Sequence, residues 1–371
     1  MNLEQLKQFL TYLQKDNMIA GPVMAGEVLN FKEIENIDDL ELTNKIPLHS
    51  FKKFLLPARE VLTTPDPSLL RMGNTPPVSP SQGGLTPLPA MSGTSKRGKI
   101  GMALVGLTSP DLRAITILNH IFEKDPYYQE RIKKTLIIGY AEVPDEYKGM
   151  FAVRYEENIL EHLQFDIFIV EEKFPSPLYK KGKNMYKIFT GSEDGQKVLD
   201  KFGYSNYENV QFAGLIPEEG VSKEMLKVRK TMDKMSPQNE IFQELGKKCI
   251  ECGRCSIICP LCFCFCLEEH TPDPSQEGNL SCGRDAFQCA STMKERKSTT
   301  CFYSQFSEVA GGHKFLKNPA ERIFHWYDHK FVRFPEDLAV AGGVSCGRCA
   351  KVCPAGIDIK KVMKGILDFR F

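Results

Sequence analysis

Apolar positions recur at helical spacing from the start of the chain, with Leu3, Leu6, Phe9, Leu10 and Leu13 on one face of a segment that must end before Gly21-Pro22. The other face carries both signs of charge, which suits a helix packed on a core and not a basic helix lying on a membrane. Short strand-like runs follow, and then residues 51–62. Residues 99–107, 135–139 and 165–170 are continuous apolar runs, each predicting a strand buried on both faces. Residues 111–122, behind Ser109-Pro110, predict a helix between the first two. Strand, helix, strand, helix, strand is the signature of an α/β unit. From about residue 236 the signals turn helical, with residues 240–248 leading into a cysteine-rich stretch. The expected class is therefore α+β, an N-terminal α/β domain followed by a mainly helical domain.

Two stretches break this pattern. Residues 63–98 hold seven prolines among many Ser, Thr and Gly, and no core forms from that composition. Thr64-Pro-Asp-Pro-Ser68 recurs as Thr271-Pro-Asp-Pro-Ser275, and Pro80-Ser-Gln-Gly83 echoes residues 274–278. Repeats this short and irregular do not build a solenoid. They predict surface insertions over 63–98 and 271–297 that are functionally neutral, the sharper alternative being a proline-motif docking site. The expected organisation is then residues 1–62 and 99–235 as the α/β domain, with the 63–98 loop inserted in it, and residues 236–371 as the second domain.

Composition narrows the compartment more than the function. A formal charge of +1 gives no reason to expect nucleic acid or a membrane surface as partner. No apolar run reaches the roughly 18 residues of a membrane span, and charges interrupt what would be the core of a signal peptide. All 13 cysteines fall between Cys249 and Cys353. A secreted disulfide framework would spread them through the fold it staples, so they read as metal ligands kept reduced in a cytoplasm.

Their spacing carries the chemistry. Cys249-Ile-Glu-Cys252-Gly-Arg-Cys255-Ser-Ile-Ile-Cys259-Pro260 has the bacterial ferredoxin arrangement, and Cys346-Gly-Arg-Cys349-Ala-Lys-Val-Cys353-Pro354 repeats it, except that Gly343 stands where the first cysteine would be. Two such motifs predict a ferredoxin-like module with two iron-sulfur clusters. Zinc is the plainer alternative, but four cysteines in eleven residues closed by Cys-Pro suit the larger group better. In two-cluster ferredoxins the fourth cysteine of each run binds the other cluster. That assigns Cys249, Cys252, Cys255 and Cys353 to cluster one, and Cys259, Cys346 and Cys349 to cluster two. Gly343 leaves cluster two one thiolate short, so a neighbouring cysteine supplies the fourth bond, or the site holds a 3Fe-4S cluster in place of 4Fe-4S, or an iron takes water or a partner's side chain. The candidate replacements are Cys301, Cys262, Cys264 and Cys266, and the first of these readings is favoured because the segment has spare thiols. Cys262, Cys264 and Cys266 alternate, which in an extended segment aims all three to one side. Cys282 and Cys289, beside the second insertion, read as bystanders. Gly253 and Gly347 allow close backbone approach inside the loops, and Arg254 and Arg348 hold equivalent places in them.

The α/β unit offers less. Gly101 and Gly106 do not fit a dinucleotide fingerprint, and no phosphate-binding Gly-rich loop occurs. No nucleotide is assigned to it, and no catalytic residue. Asp111 and Arg113 are expected to pair with each other or cap their helix.

Residues 249–359 resemble the 4Fe-4S dicluster domain shared by the beta subunit of sulfhydrogenase, a cytoplasmic nickel-iron hydrogenase, and the A subunit of anaerobic sulfite reductase. The matching residues are 249–260, Cys262 and Cys264, Cys301, Val309-Ala-Gly-Gly-His313, Glu321-Arg322, His329-Lys-Phe331, Pro335-Glu336 and 346–358. The N-terminal part resembles the same family through residues 50–57, 109–114, 125–128 and 135–139. Relatives often carry cysteines near Pro110 and Phe151, where this chain has Ser109, Asp111, Met150 and Ala152, and a cysteine at the place of Gly343. The resemblance implies an electron-transfer subunit relaying electrons between a flavin- and NAD(P)H-binding subunit and a hydrogenase or sulfite reductase catalytic subunit, and no catalysis by this chain alone. The competing reading is a stand-alone iron-sulfur enzyme with its active site in the α/β domain.

Overall fold

The computed structural model describes residues 1–62, 101–142, 157–172, 185–216, 223–269 and 294–369. Helix α1 (Leu3–Gln14) begins at a reciprocal cap in which Asn2 accepts from the Gln5 amide and the Gln5 side chain accepts from the Asn2 amide; it buries Leu6, Phe9, Leu10 and Leu13. Strands β1 (Met18–Ala25) and β2 (Val28–Glu33) form an antiparallel pair, followed by a short helix α2 (Lys52–Leu55) and β3 (Arg59–Leu62). Then come β4 (Met102–Leu107), α3 (Ser109–Ile121), α4 (Pro126–Lys133), β5 (Thr135–Glu142), β6 (Ile167–Glu172), β7 (Met185–Thr190), α5 (Glu193–Phe202) and β8 (Glu208–Asn209).

Seven of these strands make one sheet in the order β2-β1-β4-β5-β6-β7-β8, parallel from β1 through β6. Its central strands read as unbroken apolar runs because both faces are covered. One face packs α1 through Leu6, Phe9 and Leu10 against Ile19, Ile138 and Ile167. The other packs α3 through Leu112, Ile115 and Leu118, and its core continues into Leu261, Phe334, Val340 and Val344 of the C-terminal part. The second cysteine motif therefore sits against the sheet's own core.

The C-terminal part is mainly helical, with α6 (Lys223–Met232), α7 (Glu240–Lys248), α8 (Arg254–Ile258), α9 (Pro319–Asp328), α10 (Phe334–Leu338), α11 (Arg348–Lys351) and α12 (Ile359–Asp368). Its core joins Val228, Phe242, Trp326, Phe331 and Met363. A π-helical turn, His329–Arg333, connects α9 to α10. The architecture is α+β, and no helix among the described residues is long and apolar enough to cross a membrane.

One sheet departs from the sequence reading. Strand β3 pairs with β10 (Lys294–Ser298), which also pairs with β9 (Phe265–Glu269), all antiparallel. The stretch expected to be looped out over 271–297 thus ends inside a sheet, as its central strand. Lys294-Glu-Arg-Lys-Ser298 has no apolar alternation to announce a strand. Its ladder to two neighbours holds it, together with Arg296, which pairs with Glu60 and with Asp125 at the start of α4. Leu62, Glu269 and Lys294 lie in register, so both expected insertions depart from the same end of this sheet. Residues 63–98, the rest of 271–297 with Cys282 and Cys289, and Met150, Phe151 and Ala152 lie outside the described residues.

Candidate iron-sulfur site

The two cysteine motifs fold alike. Gly253 (φ 69°, ψ 0°) and Gly347 (φ 68°, ψ 0°) begin α8 and α11, and the residues two positions earlier, Glu251 and Ser345, are also left-handed at φ 54° and 61°. Two left-handed residues, one of them not glycine, coil each loop so that successive thiols turn inward, and such strain collects where a loop wraps a ligand. Gly253 is also forced by contact, since a Cβ there would meet Thr300 Cγ2 at 2.4 Å; Gly347 has open space.

Cys249, Cys252, Cys255 and Cys353 line one cavity, together with Cys349. Ile323, Trp326 and Tyr327 of α9 and Phe302 form much of its apolar wall. Burial pushes the thiols of Cys249 and Cys255 up, and the neighbouring sulfurs add to this, Cys353 among them for both. Trp326 Nε1 is buried on this wall with no acceptor among the described residues, as are the hydroxyls of Ser256 and Ser345 beside Cys255 and Cys346. Anionic, sulfur-rich groups fit such surroundings, because they gain thiolates from the loops and take the hydrogen bonds these donors lack. Among the described residues no three Cys, His, Asp or Glu side chains converge as a single-ion site, and the eleven described cysteines are unpaired thiols.

A second set of sulfurs forms around Cys259. A hydrogen bond from Cys262, with the ammonium groups of Lys330 and Lys52, holds the Cys259 thiol well below its usual range. Burial raises Cys349 to about 12, with Cys259 and Cys346 contributing, and burial likewise raises Cys346. Cys349 thus faces this set as well as the first cavity.

The four spare thiols do not share one side. Strand β9 begins only at Phe265, so Cys262 and Cys264 precede it in irregular chain and are free to turn separately. Cys262 meets Cys259; Cys264 accepts from buried Cys301, which lowers Cys264 to about 7. Cys266 lies on the strand, its sulfur 3.6 Å from both Lys297 O and Glu268 Oε1. A cavity of about 430 Å³ opens past Cys262 and Cys264, with Lys52, Lys53, Arg254 and Arg296 around it.

Charged residues complete the second set, and sequence reasoning missed most of them. Lys330 is buried at 5% exposure, with Nζ 3.4 Å from Cys259 Sγ and 3.0 Å from Gly342 O. The π-helical turn inserts one extra residue after α9 and aims Lys330 inward. Lys52 Nζ donates to Cys262 O at 3.0 Å. Arg348 and Arg254, equivalent in sequence, part company: Arg254 is exposed, whereas Arg348 is fully buried and bonds both carboxylate oxygens of Asp111 at 2.6 and 3.0 Å and Pro47 O at 2.7 Å. Asp111 thus corrects its expectation. It takes Arg348 and the Thr108 hydroxyl, and Arg113, buried in the same helix, has its pKa lowered to about 10 by desolvation.

Residues 248–357 match the 4Fe-4S dicluster domain. The chain carries an iron-sulfur domain. Over its whole length it is similar to sulfhydrogenase 2 subunit beta of Pyrococcus furiosus, at 24% identity across 386 aligned positions covering 99% of this chain and 98% of that protein. No solved structure matches the chain.

Proposed function

We propose that this chain is the electron-carrying iron-sulfur subunit of a cytoplasmic redox complex. It would hold two clusters, one on Cys249, Cys252, Cys255 and Cys353 and the other on Cys259, Cys346, Cys349 and Cys262. The observation that carries this reading is the interleaving of the motifs: Cys353 lines the cavity of the first run, and Cys259 belongs with Cys346 and Cys349. Cys262 would be the replacement for the missing cysteine at Gly343, because it pairs with Cys259, whereas Cys264, which also feels Lys330, pairs with Cys301. Cys301 is engaged with Cys264, and Cys266 with Glu268 and Lys297.

Bound clusters supply one-electron storage. The residues of the chain do the rest. Ile323, Trp326 and Tyr327 exclude water from the first set, Trp326 Nε1 offers a hydrogen bond, and the left-handed turns at Glu251 and Ser345 fix where the thiolates point. Each set also approaches the surface, as electron exchange with another protein requires. Ile250, 66% exposed, lines the first cavity, and Cys262 lines the open cavity beside the second set. By similarity to a sulfhydrogenase subunit, the partners would be a flavin- and NAD(P)H-binding subunit on one side and a hydrogenase or sulfite reductase subunit on the other. Asp111, a buried acid of the α/β part, is committed to Arg348, which weighs against a catalytic role for it.

The test uses the anaerobically purified full-length chain. It should accept electrons from a strong one-electron reductant and return them to a dye, with no turnover of hydrogen, sulfite or NAD(P)H and no bound flavin. Turnover of any of the three by the chain alone, or stoichiometric flavin, would overturn the proposal.

A further inference from the structure

The two sets of thiols differ in the charge buried beside them. At the first set, Glu251 in the loop is paired with Arg322, and apart from the cysteines the cavity wall carries no charged or polar side chain other than those of Trp326 and Tyr327. At the second set, Arg348 is matched by Asp111, but Lys330 and Lys52 have no carboxylate partner among the described residues. Lys330 is enclosed by Cys259 Sγ at 3.4 Å, Gly342 O at 3.0 Å and the Trp326 ring at 5.3 Å, and it offers its charge to sulfur in a region with little water to screen it. Gly342 cannot be enlarged to relieve this packing, since a Cβ there would come within 2.3 Å of Lys330 O.

A cluster gains one negative charge on reduction, so a fixed buried cation at its thiolates favours the reduced state and raises its potential. We infer that Lys330, assisted by Lys52, makes the cluster on Cys259, Cys262, Cys346 and Cys349 the higher-potential, electron-accepting end of the pair. With clusters bound, one electron would pass from the first set to the second, with no bond broken and no proton moved. A partner's donor centre therefore serves the cavity beside Ile250, and a partner's acceptor centre serves the opening beside Cys262. This rests on the relay reading above and gives that relay a direction.

The experiment is a redox titration of the full-length, anaerobically purified protein, followed by electron paramagnetic resonance. Two midpoints are expected, the lower one belonging to the signal altered in Cys252→Ser. Lys330→Met should move the upper midpoint downward and further than it moves the lower one, and Lys330→Arg should restore it. Lys52→Met gives a smaller shift in the same direction and decides the matter if Lys330→Met does not keep its iron. The inference falls if the Cys252→Ser signal is the upper one, if the two clusters titrate together, or if neither lysine variant with full iron content moves the upper midpoint. A chain without bound iron would overturn the relay reading as well.

Discussion

Asp111 joins the two halves of the molecule through one buried contact. Its carboxylate follows the carboxyl end of β4 and receives a guanidinium from the second cysteine loop, with both residues at most 1% exposed. A buried pair broken on one side leaves the other charge uncompensated, which costs about 3–5 kcal/mol. Asp111→Asn should therefore lower the thermal midpoint of the whole chain and release iron from the second set first, read by iron content after mild heating; unchanged iron retention would show that the pair is not holding that loop. The composition of α3 made Asp111 and Arg113 conspicuous, but the partner of Asp111 lies 237 positions away, and nothing local encodes such a pairing. Lys330 was hidden for the same reason. Its motif was visible as sequence, yet its burial against Cys259 depends on a π-helical turn that no hydrophobic period announces.

At the scale of elements, the predictable ones were those whose sequence carries their own period. Strands β4, β5 and β6 and helices α1, α3 and α7 lie close to where apolar runs or helical spacing put them. Residues 51–62 give no such signal and split into α2 and β3, and four of the five residues of β10 are charged, so their structure comes from pairing across the chain. The two cysteine loops share a backbone conformation, which gives a paired prediction. Gly347→Ala costs only the left-handed penalty of about 1–2 kcal/mol. Gly253→Ala adds a collision with Thr300, about 1–3 kcal/mol more. Thermal loss of cluster absorbance should place the wild type highest, Gly347→Ala next and Gly253→Ala lowest. The reverse order for the two variants would contradict the contact at Thr300.

For the molecule as a whole, the sheet and the cysteine loops share a core, through which cluster binding is expected to couple to folding. The sequence showed seven thiols in two motifs and four candidates for one further place; spacing alone could not choose among Cys262, Cys264, Cys266 and Cys301, because the choice depends on which way each side chain turns. Cys262 turns to Cys259, Cys264 and Cys301 pair with each other beside it, and Cys266 turns to Lys297 and Glu268. The most direct test of the account is anaerobic iron analysis with electron paramagnetic resonance on the reduced full-length chain and its variants. The account predicts about eight irons and two reduced cubane signals in the wild type, in Cys301→Ala and in Cys266→Ala, with one cubane lost in Cys262→Ala. About seven irons, with an oxidised three-iron signal that persists unchanged in Cys262→Ala, would contradict it.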